Sequence, residues 1–188
     1  MKVSKKVYLS ALITLTLSAT AATAASSTFR EQLEHSVFGK AGRNHSIDPY
    51  LIYAVALVEA AYSHKGDRAS VSPYLYAIRS SSGAAYPATR EDAQVELKKR
   101  LASSKNLKEI DVCLMQVNLG WNGHRVTDYN NLFDLDTCVN TGAQILKENL
   151  NSTNSLYEAI GRYNTWQNKE AAKKYAIKVV DVYNRLPR

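Results

Sequence analysis

The chain has 188 residues, of which 45% are hydrophobic and 22% charged, and its 24 Lys and Arg stand against 17 Asp and Glu for a formal charge of +7. The basic residues are dispersed, with no run of five or more, which argues against a nucleic-acid-binding arm; beyond the N-terminus no apolar stretch approaches the ~20 residues of a membrane span. The histidines, His35, His45, His64 and His124, are scattered, and without CxxC or HExxH spacing no metal-ligand set stands out and no cofactor is expected.

Lys2, Lys5 and Lys6 precede an apolar stretch from Val7 to Leu17, and Ala22, Thr23 and Ala24 supply small residues for cleavage. Residues 1–24 therefore read as a secretory signal peptide and 25–188 as the mature, exported protein. Without the three leader lysines the net charge falls to about +4, and the 164 residues that remain suit one domain with a substantial core. Two cysteines in an exported chain make a Cys113–Cys138 disulfide the default expectation, with a pair of buried small hydrophobes as the alternative.

The mature chain reads as a succession of helices with one irregular middle section. Thr28 and Glu31 have capping-box spacing, and Phe29, Leu33, Val37 and Phe38 share a helical face, so a first helix of about four turns should end at Gly39–Ser46. Asp48 and Pro49 then open a helix containing Leu51–Tyr62, in which eleven of twelve side chains are apolar or aromatic and the one charge is Glu59. Pro73–Pro87, with Tyr74, Tyr76, Ile78 and Tyr86 around Ser80–Gly83, suits a short hairpin. Thr89 and Asp92 open a charged helix through Leu101 that should flank or cover the domain. Asp136 caps a helix with Val139, Ala143, Leu146 and Leu150; Ser155 and Glu158 form a second capping box; and Ala172, Tyr175, Val179, Val182 and Tyr183 mark a final helix.

Two stretches carry chemistry. Glu59 has Val55 and Ala56 one turn before it and Tyr62 and Ser63 one turn after, with no Lys or Arg within a turn, so burial should raise its pKa toward the range of a general acid. A narrow solvent stripe on an otherwise buried helix would also account for it. In Asp111–Trp121 an apolar run carries Gln116 and Asn118 two residues apart, on one side of an extended segment. Amides beside an aromatic such as Trp121 suit a saccharide site, although two satisfied amides on a buried strand fit the pattern as well.

The order of the pieces is more specific than any one of them. Glu59 at the end of an apolar helix, then Leu114, Met115, Gln116, Val117 and Asn118, then Asp136 and Asn140, then Ala159, Ile160, Tyr163 and Asn164, resembles the soluble lytic transglycosylase family over roughly Ile47 to Tyr175. The long insertion before Met115, with YPATREDA at Tyr86–Ala93, resembles most the branch associated with conjugation, type IV pilus and secretion machinery. Two departures stand out: Ala60 where the family usually has Ser, which puts a substrate hydrogen bond in doubt, and Cys113 where it usually has Gly, which alters a tight backbone approach to the glycan.

The resemblance implies a mostly α, lysozyme-like (α+β superfamily) single domain with a short β-hairpin or irregular insertion. It implies a periplasmic enzyme acting on peptidoglycan glycan strands, with components of an envelope-spanning machine as further partners. Glu59 would serve as both acid and base, giving 1,6-anhydro ends; Met115, Gln116 and Asn118 would line the groove; Tyr163 and Asn164 would position the carboxyl and the sugar. The resemblance also sets Cys113 on the groove-lining segment and Cys138 at the start of the helix behind it. A hydrolysing muramidase would need a second carboxylate, for which Asp111 and Asp67 are the candidates. A catalytically inactive glycan-binding assembly protein is the third reading, favoured by Ala60 and opposed by the cost of a lone carboxylate on an apolar helix.

Overall fold

The computed structural model describes residues 28–63 and 71–188, so the expected leader and Asp67 lie outside the described residues. The chain is organised around one helix, Pro49–Ala60, which begins as its sequence dictates: Pro49 stands at the first helical position and the Asp48 carboxylate accepts the Tyr50 N–H at 2.9 Å. Numbering helices in chain order, this is α3. Residues 28–35 (α1) and Val37–His45 (α2) precede it. Arg90–Ser103 (α4), the short Leu119–Asn122 (α5), Leu135–Asn151 (α6), Leu156–Asn164 (α7) and Lys169–Arg185 (α8) follow. A helix apolar on every side has to be enclosed, and α3 is: Ile52, Ala54, Val55 and Ala56 are fully buried, and α2, α6 and α8 pack around it.

Among the described residues the irregular section holds two small antiparallel sheets. Ala61–Ser63 (β1) pairs with Val71–Pro73 (β2), while Ile78–Ser80 (β3), Gly83–Ala85 (β4), Asp111–Val112 (β5) and Val117–Asn118 (β6) form a sheet in the order β4-β3-β5-β6. The hairpin expected within Pro73–Pro87 is β3–β4, closed by Gly83 at φ 101°. The charged α4 starts at Thr89 and flanks β3. It is fastened there by the buried Arg100, which donates to Glu96 at 2.6 Å, to Ser80 Oγ at 2.5 Å and to the Gly83 carbonyl at 2.6 Å.

Four expectations need correction. The helix expected to contain Leu51–Tyr62 ends at Ala60, and Ala61–Ser63 continues as β1, paired with β2. The first long helix is two helices, because the Ser36 side chain donates to the Leu33 carbonyl and accepts from the Phe38 N–H; α2 then runs through the stretch expected to terminate it. The cap of α6 is Asp134, whose carboxylate takes both the N–H and the hydroxyl of Thr137, whereas Asp136 faces α2 and pairs with Lys40 at 2.6 Å. Asp111–Trp121 is not one extended segment. It folds as β5, a tight turn and β6, with Cys113 at φ 67° and Gln116 at φ 45°, so Gln116 and Asn118 do not point the same way along a strand.

That turn is clamped from behind. Cys113 is bonded to Cys138 in the first turn of α6, with an S–S distance of 2.05 Å and Cα atoms 6.3 Å apart. A Cβ on Gly142 would stand 2.5 Å from the end of Met115, so only glycine on that turn of α6 lets the Met115 side chain lie against the helix.

Candidate active site

A cleft of about 670 Å³ opens beside the last turn of α3. Its wall takes Glu59 from α3, Arg79 from β3, Asp111 from β5, Trp121 from α5, Asn149 from α6 and Tyr163 from α7, so helices and sheet both contribute side chains. Glu59 is half-buried at the wall. Its Oε1 accepts a 2.6 Å hydrogen bond from Tyr175 Oη, and the Arg79 guanidinium donates to its backbone carbonyl at 3.4 Å.

Burial raises the Glu59 pKa from 4.5 to about 7; the Tyr175 hydrogen bond and the positive charge of Arg79 oppose the rise, and the nearby Asp111 adds to it. A carboxyl with that pKa is present in both protonation states near neutrality, the condition for giving a proton and taking one back. Asp111 is also raised by burial, against a 2.8 Å hydrogen bond that its Oδ1 accepts from Asn118 Nδ2. The Tyr163 and Tyr175 rings lie nearly parallel, with centroids 6.4 Å apart, and both hydroxyls are pushed well above 10 by burial and the neighbouring carboxylate, so both stay protonated donors.

The expected site residues divide into wall and support. Glu59, Gln116, Asn118, Tyr163 and Asn164 line the cleft together. Gln116 is buried, however, and its amide donates to the carbonyls of Cys113 at 2.8 Å and Ala77 at 3.3 Å. Asn118 caps α5: its oxygen accepts the N–H groups of Gly120 and Trp121, and its nitrogen holds the Lys108 carbonyl and Asp111. Asn118 thus spends both ends of its amide on the protein, and Gln116 spends its N–H groups there. Met115 lies beneath the wall, fully buried, and contributes its carbonyl, which accepts from Tyr163 Oη at 2.9 Å. Tyr163 therefore braces the 113–116 turn, while the residue on the Glu59 carboxyl is Tyr175, which the sequence presents as one more apolar-face position of the last helix. The hydroxyl was the signal, since a buried tyrosine needs a polar partner.

Ala60, the departure from the usual Ser, is 3% exposed and packs in the core, away from the cleft wall. Asn149 was not anticipated. It is 4% exposed, lines the cleft from α6, and its Nδ2 has no hydrogen-bond partner among the described residues. Among the described residues no three His, Cys, Asp or Glu side chains are grouped to hold a metal ion, and no helix is long and apolar enough to cross a membrane.

Helices wrapped around one apolar helix, with a small antiparallel sheet at the side and a titrating carboxyl where the two meet, define a lysozyme-like domain. The chain belongs to the transglycosylase SLT domain family, whose model matches residues 36–179. Members of that family are lytic transglycosylases acting on peptidoglycan. No curated protein and no solved structure matches the chain significantly.

Proposed function

We propose that this protein is a peptidoglycan lytic transglycosylase in which Glu59 alone performs the acid and base steps. The observation that carries the reading is the Glu59 carboxyl in the cleft, held by Tyr175 and raised to about 7 by burial. Protonated Glu59 gives its proton to the glycosidic oxygen between N-acetylmuramic acid and N-acetylglucosamine as that bond breaks. The resulting carboxylate then takes the proton of the muramoyl 6-hydroxyl as its oxygen bonds to the anomeric carbon. The products are a 1,6-anhydro end and a free 4-hydroxyl, water is not consumed, and Glu59 ends protonated as it began.

The leader read at residues 1–24 supports export to the periplasm, where the polymer lies and the Cys113–Cys138 bond persists. The long insertion between Glu59 and Met115, with its YPATREDA stretch at Tyr86–Ala93, supports service to an envelope-spanning conjugation, pilus or secretion machine. A second reading, hydrolysis to reducing ends, is favoured by one observation: Asp111 shares the cleft with Glu59 and is raised by burial. Digestion of purified peptidoglycan followed by mass analysis of the released ends separates the readings. Anhydro ends support the proposal, reducing ends support the hydrolase, and intact glycan that still binds the protein supports an inactive binder.

A further inference from the structure

The chain has two tryptophans, both on the wall of the cleft that holds Glu59, and they are 57% (Trp121) and 61% (Trp166) exposed. They reach it from different parts of the fold, Trp121 from α5 at the edge of the sheet and Trp166 from the connection between α7 and α8.

Each indole is held in place although most of it faces solvent. The Trp121 backbone N–H donates to Asn118 Oδ1 at 3.2 Å, which fixes the main chain that carries the ring, and Asn118 Nδ2 holds the Lys108 carbonyl at 2.8 Å. A Cβ on Gly120 would stand 2.5 Å from the Lys108 backbone nitrogen, so glycine there lets the two segments touch, and Lys108 Nζ comes to lie 3.8 Å from the Trp121 ring centroid. On the helical side the Arg162 guanidinium is fixed by the Ser152 carbonyl at 3.0 Å, Ser152 Oγ at 2.6 Å and Glu158 at 2.6 Å, and its Cζ stands 4.4 Å from the Trp166 centroid. Thr165 Oγ1 accepts the backbone N–H groups of Gln167 and Asn168 and so turns the chain on either side of Trp166. The two banks thus share one design, an indole steadied by a cation and left more than half open.

A flat apolar surface of this kind is complementary to the C–H face of a pyranose. Resting on the glycan-cleaving reading above, we propose that Trp121 and Trp166 are stacking platforms for two different sugar units of one glycan strand. Productive binding then needs a strand long enough to reach both. Asn118, which holds the backbone at Trp121, and Arg162, which lies against the Trp166 ring, act in this as positioning residues for the indoles rather than as contacts to the sugar.

Because the chain has no other tryptophan, emission reports each bank separately. The Glu59→Gln protein is prepared in two single-tryptophan versions, Trp121→Phe and Trp166→Phe, and titrated with β-1,4-linked N-acetylglucosamine oligomers of increasing length. Short oligomers are expected to shift one ring at most and longer ones both, with affinity rising by roughly tenfold or more at the length where the second ring responds. In the active protein, Trp121→Ala and Trp166→Ala should each lower kcat/KM on peptidoglycan by roughly tenfold. The rings are exposed, so the unfolding midpoint should hold, and the Phe versions serve wherever an Ala version does not fold.

An unchanged emission from either ring while calorimetry shows the longest oligomer saturating the protein overturns the two-platform proposal. Wild-type kcat/KM in both Ala variants overturns it as well, and in that case the anhydro products still stand and the catalytic reading survives. A wild-type protein that neither binds the oligomers nor releases glycan overturns the catalytic reading and the platforms with it.

Discussion

Tyr175 donates a 2.6 Å hydrogen bond to Glu59 across 116 positions of sequence, joining the last helix of the domain to the end of its central one. The bond favours the ionised carboxylate and holds its pKa below the value burial alone would set. Tyr175→Phe should therefore raise the Glu59 pKa above about 7 and move the alkaline limb of kcat/KM to higher pH. It should also lower kcat by roughly ten- to a hundredfold, because the carboxyl loses its orientation. A pH–rate profile of the variant checks both. A loss of rate with the limb unmoved would make Tyr175 a packing residue only.

Glu59→Gln should abolish release of anhydro ends, since the amide keeps the shape and can still accept from Tyr175 but carries no proton to shuttle. The same variant should be more stable than the parent at alkaline pH. The Glu59 pKa is raised on folding, so between 4.5 and about 7 the folded state binds more protons than the unfolded state, and stability falls as pH rises through that window. At 1.36 kcal/mol per unit the shift is worth at most about 3 kcal/mol. The difference in unfolding free energy between variant and parent should be near zero at pH 4 and reach its full value above pH 7. A difference that does not change with pH would contradict the raised pKa.

These two predictions join a residue that stood out in the sequence to one that did not, and the reason is physical. Asp48 with Pro49, Thr89 with Asp92, and Ser155 with Glu158 are local signals, since each cap satisfies an amide within three residues, and all three helices begin where those residues place them. Glu59 was legible because a lone charge on an apolar helix conflicts with its surroundings within a single turn. Tyr175, Asn149 and Trp166 were not, because what distinguishes them is a partner, or an absent one, set by packing between distant helices. The turn at Cys113–Gln116 escaped for a different reason: its two left-handed residues are Cys and Gln, and no glycine marks them. Asp136 was mistaken for a cap because FDLDT offers two aspartates, and only Asp134 has the Thr137 hydroxyl and N–H in reach.

Asn149 exposes a trade between stability and function. A buried amide nitrogen without a partner among the described residues costs about 1–3 kcal/mol of desolvation, and Asn149 carries it on a residue that lines the cleft. Asn149→Leu keeps the volume and removes the orphan group. Chemical denaturation should show a gain of about 1 kcal/mol or more, while KM on peptidoglycan rises several-fold. A variant that is neither more stable nor weaker in KM would mean that the amide is satisfied in solution and takes no part in binding.

The disulfide and the backbone at Cys113 make opposing contributions that can be separated. Bridging Cys113 to Cys138 closes a 25-residue separation and, in the chain-entropy model, stabilises the fold by roughly 3 kcal/mol. Cys113 also sits at φ 67°, a conformation that costs a residue with a Cβ about 1–2 kcal/mol and costs glycine little. Loss of the bridge should thus be partly offset by glycine at 113 and not by alanine. Urea denaturation of Cys113→Ala/Cys138→Ala should show a loss of roughly 3 kcal/mol, and Cys113→Gly/Cys138→Ala should recover about 1 kcal/mol of it, somewhat reduced by the extra freedom glycine brings to the unfolded chain. The Gln116 amide donates to the Cys113 carbonyl, so the glycine variant should also retain more activity than the alanine one. Equal stability of the two double variants would show that the turn relaxes to a negative φ once the bridge is gone. Counting thiols in the unfolded, unreduced parent anchors the comparison: two reactive thiols per chain would remove the bridge from the argument altogether.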